Sequence, residues 1–304
     1  MENHSQHMIE LKSMFLTIWR DRVFIVIFVF IMMILALFIT FSLPDEYRSE
    51  VLVAPSETFA NELPSQFGGL GSLAALAGSK LGQNNSKILL ATEYFRSRVF
   101  LEQFLLNYPD ALIELMAIDD WVKSTDTLIY NTDVYDPQTA QWVREAKPTR
   151  PSKPSLQEAH RVFLKHLSVE EHSASAFFVI AFEHVSPVVA KKWVDRLVKE
   201  VNAILRQKDI NKTQMSINYL EAQLATTDVS VLQQSLFALV QTQTEKLMLA
   251  QTSPEYIFEI IDPAYIPEKE NGPKRVLIIF LVGILGTITA TVFSIFRGHL
   301  RQEH

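Results

Sequence analysis

The sequence predicts an α+β membrane protein, with two transmembrane helices flanking a periplasmic domain built on a membrane-proximal mixed sheet and a long protruding helical hairpin. Three observations carry that expectation. Two apolar windows without any charged residue lie near the two ends, β-prone segments adjoin each window, and a helical pattern of about 40 residues runs without glycine or proline late in the chain.

The windows are Val23 to Leu43 and Val276 to Phe296, each 21 residues long. A hydrocarbon core about 30 Å thick needs roughly 20 helical residues, so both are read as spanning helices. The first is longer than the apolar stretch of a secretory signal and runs into Phe41-Ser42-Leu43-Pro44, so it is read as an uncleaved anchor. The expected organisation is a cytoplasmic tail at 1–22, a span at 23–43, a periplasmic domain at 44–275, a span at 276–296 and a cytoplasmic tail at 297–304.

Orientation follows from the cations beside the first window. Lys12, Arg20 and Arg22 precede it and only Arg48 follows closely, so the amino terminus is expected in the cytoplasm. Two spans return the chain to that side, and localisation in the inner membrane of a Gram-negative cell follows. The pair Lys274-Arg275 at the start of the second window opposes this assignment.

The averages of 48% hydrophobic and 20% charged residues are those of an ordinary globular chain, and they conceal these two unlike parts. Residues 44–275 hold 23 basic and 30 acidic side chains, net −7, which excludes a nucleic-acid partner. The chain has no cysteine, hence no disulfide framework or thiolate metal site.

At 232 residues the outer segment is long enough to bury its own core. Tyr47-Arg48-Ser49-Glu50-Val51-Leu52-Val53 reads as a strand, bounded by Pro44 and Pro55. Residues 64–82 hold five of the nine glycines but lack the lysine and hydroxyl of a phosphate loop, and are read as an apolar loop, flexible or covered by a partner. Lys87 to Met116 reads as a helix pair broken at Pro109. Residues 117–154 are polar and are read as irregular, ending in a proline-rich surface linker at 147–154. A helix from Leu156 to Lys165 precedes Leu167-Ser168-Val169 and the apolar run 175–183, expected as a central strand covered on both faces.

Ser186-Pro187 is a helix start, with a hydroxyl at the cap and proline in the first turn. Val189, Trp193, Leu197, Val201 and Leu205 then recur at steps of four, predicting a helix over about 187–226 that extends about 60 Å. A return helix through Leu232, Leu236 and Leu247 leads to a strand at Tyr256 to Ile261, expected to share a sheet with the first strand.

The search for chemistry is negative. His160, His166 and His172 are six apart, so local helical spacing does not converge them on a metal. Asn131 to Asp136 lacks the glycine and distal glutamate of a calcium loop. Asp119-Asp120 and Glu170-Glu171 are neighbours that project in different directions. No nucleophile-elbow, zincin or phosphate-loop motif occurs, and the spans carry hydroxyls but no ionisable group. No catalytic, cofactor or metal site is expected, and the chain is read as a non-enzymatic scaffold.

Three segments carry a resemblance. Pro44-Asp45-Glu46-Tyr47-Arg48-Ser49-Glu50-Val51 is similar to the Pro-x-x-Tyr signature of the chain-length determinant family, the Wzz-type polysaccharide co-polymerases of bacterial inner membranes. Ser186-Pro187-Val188-Val189-Ala190 with Trp193-Val194-Asp195-Arg196-Leu197-Val198 resembles the start of that family's long helix. Pro263-Ala264-Tyr265-Ile266-Pro267 and Pro273-Lys274-Arg275 resemble its proline-rich approach to the second span, with Gly272 where the family usually has serine.

The resemblance implies a homo-oligomeric ring, of about eight protomers, that sets the modal length of a lipid-linked polysaccharide made by an O-antigen polymerase in the same membrane. It also makes Lys274-Arg275 a family feature that need not reverse the topology. With only Arg297 to His304 after the second span, the O-antigen class without a kinase domain is expected. The structural and interaction residues singled out are Pro44, Tyr47, Pro263, Pro267, Pro273, Gly283 and Gly286, together with the loop from Gly68 to Gly82. Gly283 and Gly286 are small enough for close helix contact, although their spacing of three misses the four-residue dimer motif. The rival readings are a co-polymerase for another surface polysaccharide, such as enterobacterial common antigen or an exopolysaccharide, and a two-span sensor or anchor.

Overall fold

The computed structural model describes residues 19, 21–56, 90–148, 150–172 and 177–300. In chain order the elements are α1 (Arg22–Phe41), β1 (Tyr47–Pro55), α2 (Arg98–Asn107), α3 (Pro109–Met116), β2 (Ile118–Val122), β3 (Thr127–Tyr130), β4 (Tyr135–Asp136), β5 (Gln141–Trp142), α4 (Leu156–His166), β6 (Leu167–Glu171), β7 (Phe178–His184), α5 (Pro187–Thr226), α6 (Ser230–Thr252), β8 (Phe258–Asp262) and α7 (Arg275–Leu300). A further helical stretch occupies 90–95. The chain divides into two units, one formed by its two ends up to Glu46 and from Asn271, the other by Tyr47–Glu270.

In the first unit α1 and α7 pair antiparallel. Each carries a 20-residue window, Arg22–Phe41 and Arg275–Ser294, of mean hydropathy 3.3 and 2.6, long and apolar enough to cross a membrane. Most of each apolar surface is exposed, as in helices whose solvent is lipid and not water. Thr40, buried in α1, returns its hydroxyl to the Ala36 carbonyl at 2.8 Å, which satisfies the polar group inside the helix.

The second unit is α+β. Its main sheet has the order β6-β7-β1-β8, so the first and last strands do share one sheet, as their sequences lead one to expect. The pairing differs from the mixed sheet expected: every neighbouring pair is antiparallel. Two causes combine. The short connection from β6 to β7 can only turn back, and β1 lies between β7 and β8, which run in the same direction and would otherwise have formed a parallel pair. Consecutive Ile180, Ala181 and Phe182 of β7 are all fully buried, so this internal strand is covered on both faces.

One face of the sheet packs on the first turns of α5, where Val189, Trp193, Val194, Leu197, Val198 and Val201 are buried. Trp193 stacks on Phe182, with centroids 4.4 Å apart and planes 5° apart, and lies 5.0 Å from Phe104 and 6.0 Å from Phe163. Aromatic side chains from α2, α4, β7 and α5 thus meet in one cluster. Ser186 caps α5 by accepting from the Val189 N–H, with Pro187 in the first turn.

The 40-residue length of α5 matches the expected span, ending where Thr226 and Thr227 bring in the turn to α6. Beyond Asn202, only Thr213 and Ile217 of α5 and Ala250 of α6 are buried, so the distal hairpin has almost no core beyond the seam between its two helices. Residues 117–154, expected as irregular, contain two small hairpins, β2–β3 and β4–β5. Their strands are too short for alternation to register. They are held instead by rings: Tyr135 meets Trp142 edge-on at 5.2 Å, and the Trp121 indole N–H donates to Asp126 Oδ1 at 2.7 Å across a turn in which Asp126 has φ 49°. The glycine-rich loop from Gly68 to Gly82 lies outside the described residues.

Candidate functional site

The most organised polar constellation joins the start of α5 to α3. Asp110 and Glu114 stand one turn apart on α3, and Lys192 and Arg196 one turn apart on α5, so each pair presents one face. Lys192 Nζ donates to Asp110 Oδ2 at 2.8 Å and also to Glu114 Oε1, while Arg196 reaches Asp110 Oδ2 at 3.0 Å. The Trp193 indole N–H donates to Glu114 Oε2 at 2.9 Å. Burial opposes the charge on Lys192, but its bonds to Asp110 and Glu114 prevail and raise its pKa. Burial also opposes ionisation of Asp110, and the bonds from Lys192 and Arg196 prevail there too, lowering its pKa.

His184, at the end of β7, completes this joint. Its Nδ1 accepts from the Ser186 N–H at 3.0 Å, and its Nε2–H therefore donates to the Glu114 carbonyl, also at 3.0 Å. Both ring nitrogens are committed to a neutral imidazole, and burial lowers its pKa from 6.5 to about 4. A second buried joint is Asn202 of α5, whose Oδ1 accepts from the N–H groups of Ile257 and Phe258 and whose Nδ2 donates to the Phe258 carbonyl. These groups fasten α5 to α3 and β8. Each is a bond between one element and another.

Among the described residues, no group of three or more His, Cys, Asp or Glu side chains could hold a metal ion. His160 bonds the Arg96 carbonyl and His166 lies 5.9 Å from the Phe182 ring, so the two do not converge. The Asn131 to Asp136 stretch is a set of turns: Asp133 N–H donates to Asn131 Oδ1, and Asp136 takes Gln138 N–H and the Thr139 hydroxyl.

The residues singled out from sequence fall into separate places. Pro44 is exposed between α1 and β1, whereas Tyr47 is buried as the first residue of β1, its ring edge-on to Trp121 at 5.6 Å. Pro263 is exposed after β8 and Pro267 is buried; between them the Tyr265 carbonyl accepts from the Ser49 hydroxyl at 2.7 Å, which ties the segment to β1. Pro273 follows Gly272 through a cis peptide bond. Gly283 and Gly286 face α1: a methyl group built on Gly286 would lie 3.7 Å from Met32 and 3.9 Å from the Val29 backbone, and one on Gly283 would lie 3.8 Å from the Met33 sulfur. The two glycines thus serve contact between the two apolar helices of one chain.

Sequence reasoning missed His184, Glu114 and Asn202. A lone histidine at a strand end, a glutamate on an amphipathic helix and an asparagine in a polar helix carry no local pattern that marks them as joints.

Residues 7–107 match the family model described as chain length determinant protein, Wzz. No curated protein matches the chain. Among solved structures, a full-length bacterial polysaccharide co-polymerase is similar at 11% identity and a TM-score of 0.39, over 95% of this chain and 97% of that one. A fragment of WzzB, a polysaccharide co-polymerase from Salmonella Typhimurium, is similar at 11% identity and a TM-score of 0.30, over 75% of this chain and 100% of that one. The matched residues contain the Pro44–Tyr47 motif, in agreement with the resemblance that this motif carries.

Proposed function

We propose that this chain is a non-enzymatic co-polymerase that sets the modal length of lipopolysaccharide O-antigen made by a partner polymerase. The observation that carries the reading is the match of residues 7–107 to the chain length determinant family. The geometry is compatible with it: the polar clusters among the described residues are structural joints, and the two apolar helices suit a membrane anchor.

In this reading the protein sits in the inner membrane with both termini cytoplasmic and residues 44–275 in the periplasm. It works as a homo-oligomeric ring alongside the polymerase and its lipid-linked glycan. The distal hairpin supports assembly, since Met215 and Tyr219 are 66% and 65% exposed and Phe237 is 62% exposed, more apolar surface than a lone two-helix hairpin in water favours. Tyr47, Pro44, Pro263, Pro267 and Pro273 hold the segments beside the anchors, and Gly283 and Gly286 pair the anchors.

Deleting the gene and resolving lipopolysaccharide on a gel tests the reading. The modal cluster of the ladder should disperse and return on complementation; an unchanged ladder overturns it. A monomeric mass in lipid nanodiscs would overturn the ring.

A further inference from the structure

A cleft of about 720 Å³ lies between α2 and α5, within the size range of small-molecule sites. Two helix faces line it. From α5 come Ile204, Gln207, Lys208 and Asn211, at spacings of three and four; from α2 come Val99, Gln103, Leu106 and Asn107, with Tyr94 closing one end from the stretch at 90–95. Such spacing aligns each set on one side of its helix.

The four amides share one arrangement. Gln207 Nε2 donates to Asn211 Oδ1 at 2.9 Å, Asn107 Nδ2 donates to buried Glu200 at 2.6 Å, and Gln103 Oε1 accepts from the Tyr94 hydroxyl at 3.3 Å. Each amide is anchored at one end, and its other end has no partner among the described residues: Gln207 Oε1, Asn211 Nδ2, Asn107 Oδ1 and Gln103 Nε2. The cleft thus offers two acceptors and two donors on side chains already held in place. Val99 and Leu106 expose apolar surface beside them, 55% and 74% respectively.

Ligand chemistry follows from that mixture. A polyanion would need several cations, and among the described residues Lys208, 6.0 Å from the Tyr94 ring, is the one cation lining the cleft. An apolar helix or lipid tail would leave the amides unpaired. A sugar has hydroxyls that both donate and accept, at the edge of a ring whose C–H faces are apolar. We infer that the α2–α5 cleft binds a short oligosaccharide segment of the polymer, an inference that rests on the co-polymerase reading and gives the growing glycan a point of engagement on each protomer.

The test uses the full chain in nanodiscs and, as probe, size-fractionated oligosaccharides released by mild acid from the surface polysaccharide of the wild-type strain, with binding read by titration calorimetry and saturation-transfer NMR. Gln207→Ala combined with Asn211→Ala should weaken binding about tenfold or more, the scale of two lost hydrogen bonds. The control is built into the same helix: Gln214 and Asn218 form an equivalent amide pair at 3.0 Å outside the cleft, so Gln214→Ala with Asn218→Ala should bind as wild type. All four positions are exposed, and alanine favours helix, so both variants retain the fold.

The inference is overturned by no binding to the wild-type chain, by equal binding in the two variants, or by a cleft variant that keeps the glycan but loses assembled mass, which would make the cleft a contact between copies. The lipopolysaccharide ladder is scored separately. A deletion strain with an unchanged ladder sinks the regulatory reading, whereas a dispersed ladder together with an unaffected cleft variant sinks only the cleft.

Discussion

Replacing Glu114 by alanine isolates the joint between α3 and α5. Glu114 is 9% exposed and accepts from both Lys192 and the Trp193 indole. In Glu114→Ala the Trp193 N–H stays buried with no acceptor, at a cost of about 1–3 kcal/mol. Lys192 keeps Asp110 and is about a third exposed, so loss of its second partner adds up to about 1 kcal/mol. The sum, about 1–4 kcal/mol, corresponds to a fall in Tm of about 2–16 °C for a unit of this size.

Thermal unfolding of the full chain in detergent, followed by far-ultraviolet circular dichroism, reads that fall. Glu114→Gln keeps an acceptor for Trp193 and should lose about 1 kcal/mol. Trp193→Phe removes the donor while keeping a ring against Phe182, so the double variant with Glu114→Ala should show a coupling energy of about 1 kcal/mol or more. If Glu114→Ala costs no more than Glu114→Gln, or the two sites are additive, the indole bond does not pin the helix and the reasoning fails.

Three further outcomes are expected. His184 has its pKa lowered from 6.5 to about 4, so the unfolded chain binds the extra proton between those values; the stability it contributes, about 3 kcal/mol, is complete above pH 6.5 and declines as pH falls towards 4, and a His184→Gln variant should flatten that slope in unfolding midpoints measured from pH 7 to pH 4. Asn202→Ala strips three bonds from the backbone around Ile257 and Phe258, and should cost about 2–4 kcal/mol and speed amide exchange at those two residues more than elsewhere in the sheet. Gly286→Ala should be tolerated, because its methyl meets Met32 at ordinary contact distance, while Gly286→Leu should separate α1 from α7; since the chain has no cysteine, bismaleimide crosslinking of an engineered Met33→Cys, Gly283→Cys pair reads the separation, and crosslinking that persists in the Gly286→Leu background contradicts the packing.

The apolar anchors and the long helix were legible because periodicity and length are global signals. The 39 residues that follow Ser186-Pro187 in this helix hold no glycine or proline and leave little alternative to a helix, and its end at Thr226 coincides with the hydroxyl pair that marks the turn. The pairing of β1 with β8 was readable from their places beside the anchors. The direction of the pairs was not, because it depends on β1 lying between β7 and β8, a non-local fact that no strand encodes. The hairpins of residues 118–142 were hidden for a different reason: strands of two to five residues have too few alternations to show a face, and their order rests on ring contacts such as Tyr47 with Trp121, 74 positions apart. The cleft lay beyond sequence reasoning for the same cause, since Gln103 and Gln207 belong to helices that meet only in the fold.

The residues beside the anchors hold Arg275 by two contacts. Arg275 bonds Asp45 at 2.7 Å and stacks over Phe41 at 5.0 Å. The same neighbourhood explains why a proline-rich approach need not be a loose linker. Glu46 N–H donates to the Gly272 carbonyl at 2.9 Å, and the Asn271 N–H returns to the Glu46 carbonyl at 2.7 Å, so the stretch leaving α1 and the stretch entering α7 are held as a short antiparallel bridge. At the opposite end of the helix pair the Ser294 hydroxyl donates to Asp21 at 3.0 Å. Polar bonds at both ends and glycine contacts in the middle fix the pair in one register, which apolar packing alone would leave free to slide in lipid.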